Sequence, residues 1–332
     1  MRRFTYARPE TPDAAVAAFA AAGAGARYIA GGTTLFDLMK LNIEQPGHLV
    51  DVTAIRGLDG IHTGGRRLRF EALAPMSAVA AHPVVLRDYP VLAESLSKAA
   101  SQQLRNMATV GGNLLQRTRC LYFRNGPAGA YPCNKREPGS GCAALEGLDR
   151  GQAVLGQSAH CNAVSPGDWP VALTALDAEV EVLGPAGRRT LPIERLYRLP
   201  GDTPHLEFNL QPGEMITAIV VPKTRAGRRS TYHKIRDRES YAFALTSAAV
   251  ALETSGDRIT AARIALGGVA TRPWRATAAE TGLVGRRLTP ETALEAGHAA
   301  LAGAVAGRHN GFKIELGART VADALMIAAR RI

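Results

Sequence analysis

The most reactive side chains of this sequence are four cysteines, which all fall in one long irregular stretch. Cys120, Cys133, Cys142 and Cys161 are separated by 12, 8 and 18 residues, and the intervening residues show neither helical nor strand periodicity. Holding such a loop in one conformation costs at least about 1 kcal/mol of backbone entropy per residue. We therefore expect a cross-link or a metal centre to order this loop.

Three chemistries compete for these cysteines. Structural zinc sites usually contain closely spaced cysteine pairs, and none occurs here, so zinc is not expected. Two disulfides would suit the spacing in an oxidising compartment. An iron–sulfur cluster would also suit it, because four thiolates from a folded loop can bind a cluster at wide and uneven spacing. The spacing favours the cluster only slightly and leaves the disulfides open.

A first glycine motif is AGGTTLFDLMK, residues 30–40, between a predicted strand and a predicted helix. Gly31 and Gly32 would let a ligand approach the backbone closely, and amides at a helix start attract an anion such as a pyrophosphate. Thr33 and Thr34 would add hydroxyl donors. The motif is neither a Rossmann fingerprint nor a Walker loop. Alone, it is equally compatible with an ordinary turn.

A second glycine motif is ATVGGNLLQ, residues 108–116, in which Thr109 and Asn113 flank Gly111 and Gly112. Backbone amides and short polar side chains in such a turn can also meet phosphate oxygens. Because the two motifs fall in different predicted subdomains, we expect a dinucleotide to lie between them.

The elements around these motifs predict an α+β protein in three parts. Residues 1–55 read as a small strand–helix unit, whose first helix starts at Thr11 and Pro12 and ends at Gly23. Residues 56–224 read as a second subdomain with a hairpin across Gly64 and Gly65 and an inserted loop, 117–162. Residues 225–332 read as three long strands followed by helices, the last of them in TVADALMIAARRI, which predicts an antiparallel sheet with helices on one face.

Composition excludes several classes of protein. The 332 residues are 46% hydrophobic and 21% charged, as in globular proteins with buried cores. No apolar run approaches the roughly 20 residues needed to span a bilayer, and no export signal is expected from the start MRRFTYARPETPD. The net charge of +11 comes mainly from arginines in predicted turns, without an aromatic stripe. It therefore favours an anionic cofactor or partner subunit over nucleic acid.

Five stretches together resemble the FAD-binding subunits of molybdenum hydroxylases, the family that includes xanthine dehydrogenase and carbon monoxide dehydrogenase. They occur in the family's order and spread over most of the chain: AGGTTLFDLMK, ASQQLRNMATVGGNLLQ, SPGDWPVALTALDAEVEV, GEMITAIVVP and YHKIRDRESYAFAL. The resemblance implies a two-subdomain FAD-binding fold of the vanillyl-alcohol-oxidase type, followed by a C-terminal α+β domain.

Within that family the cysteine loop resembles that of periplasmic aldehyde oxidoreductases. The matching residues are Thr118 to Cys120, Pro132 to Arg136, Pro138 to Gly147, and Cys161. The resemblance implies that Cys120, Cys133, Cys142 and Cys161 bind a 4Fe-4S cluster, and it favours this cluster strongly over disulfides. The flavoprotein subunit of 4-hydroxybenzoyl-CoA reductase carries a comparable insertion and is the alternative relative.

The resemblance also assigns the residues that would bind FAD. The pyrophosphate would lie between two sets of residues, Ala30, Gly31, Gly32, Thr33, Thr34 and Leu35 on one side and Thr109, Gly111, Gly112 and Asn113 on the other. Asp168 would accept a hydrogen bond from the ribityl or ring region, and Ile216 and Lys234 would lie beside the isoalloxazine. Otherwise Asp168 would merely cap a helix, Ile216 would be an ordinary strand residue and Lys234 an exposed strand charge.

The function implied is electron transfer within a heterotrimer. A large subunit with a molybdenum cofactor would oxidise an aldehyde, a small subunit with 2Fe-2S centres would relay electrons, and this chain's FAD would pass them to an external acceptor. No catalytic residue, nucleic-acid partner or membrane anchor is expected here. Co-export with a signal-bearing partner would place the complex in the periplasm, and without it the chain would stay in the cytoplasm. The competing function is a stand-alone flavin-binding module held by two disulfides.

Overall fold

The computed structural model describes residues 1–125 and 130–331, in which the strands form three sheets. The first sheet is parallel, with strand order β1-β3-β2. Its elements in chain order are β1 (Thr5–Ala7), α1 (Pro12–Ala22), β2 (Ala26–Ile29), α2 (Leu35–Lys40) and β3 (His48–Asp51). Parallel neighbours need crossover connections, which α1 and α2 supply.

Local sequence signals set the bounds of α1 as predicted. The hydroxyl of Thr11 accepts a hydrogen bond from the N–H of Ala14 at 3.2 Å, and Pro12 occupies the first helical position. Gly23 ends the helix with φ of 73°, a conformation that favours glycine.

The second sheet is antiparallel, with order β4-β5-β8-β6-β7. Its strands are β4 (Ile61–His62), β5 (Arg67–Glu71), β6 (Glu179–Gly184), β7 (Gly187–Pro192) and β8 (Met215–Pro222). The helices between β5 and β7 are α3 (Met76–Ala81), α4 (Pro83–Asp88), α5 (Pro90–Ser97), α6 (Gln102–Met107), α7 (Val110–Leu114), α8 (Leu121–Arg124) and α9 (Trp169–Ala175), and α10 (Ile193–Leu196) follows β7. Trp169 meets Phe70 edge-to-face in the core of this unit, with ring centroids 5.6 Å apart.

The cysteine loop is irregular over most of its length, but it contains one helix that the sequence did not predict. The four residues of α8 follow Cys120 directly. One helical turn is too short to show a hydrophobic period, which explains why the pattern missed it. Residues 126–129 of the predicted insertion lie outside the described residues.

The third sheet is antiparallel, with order β12-β11-β10-β9, and helices follow its strands, as predicted. Its elements are β9 (Ser230–Ile235), β10 (Thr246–Ser255), β11 (Arg258–Gly267), β12 (Trp274–Arg275), α11 (Thr277–Leu283), α12 (Pro290–Ala300) and α13 (Phe312–Ala329). Within the described residues, no helix is both long and apolar enough to cross a membrane.

Helices cover both faces of this sheet. Val250 and Leu252 belong to the core shared with α11, α12 and α13, whereas Ala249 and Ala251 belong to the core of the preceding unit. Side chains alternate between the faces of a strand, so the second face packs against α5 and α9. The domain's own helices thus lie on one face, as predicted, and the other face is closed by residues earlier in the chain.

The last helix begins at Phe312, eight residues before the predicted start at Thr320. Gly317 lowers the helix propensity of the added turns, which made them read as a loop. In the fold, a Cβ on Gly317 would lie 3.3 Å from the side chain of Leu301. Packing between α12 and α13 therefore outweighs the weak local propensity.

The added turns hold the end of the cysteine loop. The carboxylate of Asp149, 2% exposed, accepts from the N–H groups of Arg308 and His309, both at 2.8 Å. Lys313, 1% exposed, donates to the carbonyls of Gln152 at 3.0 Å and Gly268 at 2.8 Å. We call these contacts between residues 307–313 and 149–153 the clasp.

Lys313 makes a pH dependence of stability predictable. Burial lowers its pKa from 10.5 to about 8, so the folded state loses this proton before the unfolded state does as the pH rises. Stability increases where the unfolded chain binds more protons. We expect the free energy of unfolding of the native chain to rise, relative to Lys313→Met, by up to about 3 kcal/mol between pH 8 and 10.5. Denaturant titrations of both proteins at the two pH values measure this change, and an unchanged difference would contradict it.

Candidate cofactor cleft and cysteine cluster

Both glycine motifs line one cleft of about 1490 Å³. This volume exceeds that of common small-ligand pockets and suits a dinucleotide. Every residue predicted to bind the cofactor lines this cleft: Ala30, Gly31, Gly32, Thr33, Thr34, Leu35, Thr109, Gly111, Gly112, Asn113, Asp168, Ile216 and Lys234. The structure therefore brings together positions that are up to about 200 residues apart in sequence.

The first glycine motif packs directly against the segment that leads into the second. A Cβ on Gly31 would lie 1.8 Å from the carbonyl oxygen of Met107, so only glycine fits there. Gly32 has φ of 71°, which also favours glycine. Thr34 precedes α2 as predicted, but its hydroxyl does not cap the helix. Its side chain is therefore available to a ligand in the cleft.

The second glycine motif forms the start of α7. Thr109 caps this helix by accepting from the N–H of Gly112 at 3.1 Å. A Cβ on Gly111 would lie 2.7 Å from that of Ala72, so the helix packs tightly on the strand side of the cleft. The amide nitrogen of Asn113 lies 3.3 Å from the sulfur of Met76, while its buried Oδ1 has no partner in the protein. An unpaired buried acceptor at the cleft wall suits a ligand that carries hydroxyl donors.

Asp168 and Lys234 form a buried ion pair at another part of the cleft. The Lys234 Nζ lies 2.8 Å from Oδ2 of Asp168, and the two side chains are 1% and 6% exposed. The hydroxyl of Tyr232 donates to Oδ1 of Asp168 at 2.6 Å and lies 2.9 Å from Oγ of Ser247. Burial and the carboxylate of Asp168 raise the pKa of Tyr232 well above its ordinary value, which keeps the phenol protonated.

These contacts decide between the alternative interpretations of both residues. Asp168 stands at the start of α9, but its side chain makes no capping bond there. Lys234 is buried rather than an exposed strand charge. Ile216, 6% exposed, lies in β8 and lines the same cleft. A paired cation and anion, held by a tyrosine, thus face the cleft from β9 and α9.

The cysteine loop contributes charged residues to the cleft that sequence reasoning missed. Arg119, Lys135 and Arg136 line it, each within three residues of a cysteine. Arg117 also lines it and is held by Glu44 at 2.5 Å and Glu207 at 2.6 Å. The clustering of basic residues beside Cys120 and Cys133 was the available signal.

The four cysteines belong to one cluster of packed side chains. Cys120, Cys133 and Cys161 are buried, Cys142 is partly buried, and all four are free thiols. The hydrogen bond with Cys161 lowers the pKa of Cys142 to about 6 and raises that of Cys161. Within the described ranges, no group of three or more His, Cys, Asp or Glu side chains is arranged to hold a metal ion.

The cysteine cluster also adjoins the cleft. Leu38 and Ile43 pack against the cysteines and line the cleft as well. One layer of aliphatic side chains therefore separates the thiols from the space between the glycine motifs.

Comparisons with known proteins agree with these features. Residues 2–224 match the family model of the FAD binding domain in molybdopterin dehydrogenase, and residues 230–325 match that of the CO dehydrogenase flavoprotein C-terminal domain. The aldehyde oxidoreductase FAD-binding subunit PaoB of Escherichia coli strain K12 is 47% identical over 98% of each chain. The carbon monoxide dehydrogenase medium chain of Hydrogenophaga pseudoflava is 28% identical over 90% of this chain and 86% of its own.

A solved structure supports the same relationship. The structure of carbon monoxide dehydrogenase from Hydrogenophaga pseudoflava, lacking the Mo-pyranopterin moiety of its cofactor, contains a chain that superposes with a TM-score of 0.77 at 28% identity. The match covers 100% of this chain and 99% of that one. The resemblance drawn from the sequence motifs and the predicted fold class are therefore confirmed.

Proposed function

Because this chain belongs to the family of FAD-binding subunits of molybdopterin dehydrogenases, we propose that it is the electron-transfer subunit of a molybdenum-dependent aldehyde oxidoreductase. The observation that carries the proposal is the single cleft lined by both glycine motifs and by the pair Asp168 and Lys234. The identity over nearly the whole length to an aldehyde oxidoreductase subunit supports the substrate class.

The residues of the cleft fit FAD. The close backbone approach at Gly31 and Gly111 leaves the amides and threonine hydroxyls of the two motifs to hold the pyrophosphate. The unpaired Oδ1 of Asn113 would accept from a ribityl or ribose hydroxyl. Bound FAD would supply the ability to accept single electrons and to release one or two.

The pair Asp168 and Lys234 would position and stabilise the flavin ring. Lys234 places a cation where negative charge collects on reduction, and Asp168 keeps that cation oriented through its 2.8 Å contact. Tyr232 fixes the carboxylate in turn. Ile216 would supply an apolar contact that excludes water from this side.

We propose further that Cys120, Cys133, Cys142 and Cys161 hold a 4Fe-4S cluster. Free thiols packed into one cluster fit such a ligand set. A cubane takes one thiolate on each of four irons, so its ligands stand farther apart than the ligands of a single ion. The same free thiols argue against the stand-alone module held by disulfides.

Within the proposed complex, a large molybdopterin subunit oxidises the aldehyde and a small 2Fe-2S subunit delivers electrons to this chain, which passes them to an external acceptor. A hydroxybenzoyl-CoA reductase-like complex is the alternative. The periplasm is the proposed location, by co-export with a signal-bearing partner, and the cytoplasm is the alternative. We also propose the division 1–55, 56–224 and 225–332, which assigns one sheet to each part.

Co-purification tests this proposal. The tagged chain, expressed with its neighbouring reading frames, is expected to bring down two further subunits, FAD, iron and acid-labile sulfide, and to reduce an artificial acceptor with aldehydes. A yellow or colourless monomer without iron would contradict it. Activity with an aromatic acyl-CoA and none with aldehydes would favour the alternative complex.

The packing of Gly31 makes FAD retention sensitive to one methyl group. We expect Gly31→Ala to weaken FAD binding about tenfold or more, because the new Cβ collides with Met107 and forces the two motifs apart, at a cost of about 1–3 kcal/mol. Flavin released from the purified protein measures the effect. Gly47→Ala is the matched control, since a Cβ there meets nothing within 4 Å. Equal FAD content in both variants would contradict the role of this contact.

A further inference from the structure

A buried glutamine side chain contacts the cysteine cluster. The Nε2 of Gln152 donates to Sγ of Cys120 at 3.3 Å. Gln152 is 4% exposed and lies between the cysteine loop and the third domain. Its amide is therefore shielded from water at the point where it meets the sulfur.

The clasp fixes this glutamine in place. Its main-chain carbonyl accepts from Nζ of Lys313 at 3.0 Å and from Nδ2 of Asn310 at 3.4 Å. Its N–H donates to the carbonyl of Asp149 at 2.7 Å. With the backbone held from both sides and the side chain buried, the amide is pre-oriented toward Cys120.

We propose that Gln152 raises the reduction potential of the iron–sulfur cluster through this hydrogen bond, a role that rests on the proposed 4Fe-4S site. One-electron reduction adds a negative charge to the cluster and its thiolates. An N–H donor at a ligand sulfur stabilises the reduced form more than the oxidised form, and hydrogen bonds to sulfur are among the features that set such potentials. The effect is enhanced in a buried site, where water does not screen it.

Two substitutions in the complete complex separate this electrostatic role from packing. Gln152→Leu removes the donor and keeps an apolar side chain of similar size. Gln152→Glu keeps the shape but places a carboxylate beside the sulfur. Gln157→Leu is the matched control, because the Gln157 amide lies in the same loop but donates to the carbonyl of Val305.

The readout is the midpoint potential of the cluster, followed by electron paramagnetic resonance while dithionite supplies the electrons. We expect the potential to fall in Gln152→Leu and to fall further in Gln152→Glu. Iron, sulfide and the FAD potential should remain at the native values in both variants. Gln157→Leu should titrate like the native complex.

Three results would overturn the proposal. Unchanged potentials in both variants would show that the hydrogen bond does not tune the cluster. A native potential in the isosteric Gln152→Glu, or loss of iron from both variants, would reduce Gln152 to a packing role. A native complex without iron and sulfide would refute the cluster itself, and analysis of the native protein detects this before any variant is made.

Discussion

Replacing Lys234 with methionine is expected to strip the cleft of FAD and to destabilise the chain by about 3–5 kcal/mol. The substitution leaves the carboxylate of Asp168, 6% exposed, buried without its cation. It also removes the positive charge that would face the flavin ring. Denaturant unfolding and flavin content of the purified chain measure the two effects separately.

A double variant distinguishes flavin binding from stability. In Asp168→Asn with Lys234→Met no unpaired charge is buried, so most of the lost stability should return while FAD binding stays weak. Lys223→Met is the matched control, because this exposed lysine donates to the carbonyl of Thr63 outside the cleft. Unchanged FAD content and unchanged turnover with an artificial acceptor in Lys234→Met would reject the proposed role.

Replacing Cys133 with serine is expected to lower iron and acid-labile sulfide to background. Cys133 is buried in the cluster and paired in a β-bridge with Cys142, so its loss removes one ligand from the centre of the loop. Metal and sulfide analysis of the purified complex measures the result. Ala159→Ser, an exposed change in the same loop, should retain both. Native iron and sulfide in Cys133→Ser would contradict the assignment.

The same variant bears on what the cluster does. A folded Cys133→Ser complex that keeps FAD and full turnover would assign the cluster a structural or auxiliary role, which we favour. Loss of turnover with intact folding and FAD would place the cluster on the electron path.

Sequence signals predicted the elements whose causes are local. Thr11, Pro12 and Gly23 bound α1 as expected, because capping and the left-handed conformation depend on single residues. The long strands β10 and β11 were evident from their apolar runs. The start of α13 was not, since packing of Gly317 on Leu301 involves residues far apart in sequence.

The candidate site shows the same division. The glycine motifs could be identified because backbone approach needs glycine at fixed positions, and they do line one cleft. The ion pair of Asp168 with Lys234 was beyond prediction, because neither residue type nor spacing indicates that side chains 66 positions apart will meet. The basic residues of the cysteine loop were missed for the same reason.

The clasp has a consequence for biogenesis. His309 and Lys313 reach back 160 and 161 positions to Asp149 and Gln152. During synthesis the carboxyl end of the cysteine loop therefore stays untethered until the last helix has left the ribosome. A cluster inserted before then would enter an open loop, and α13 would close over it, so a chain truncated before Phe312 should be a poor acceptor of iron and sulfide.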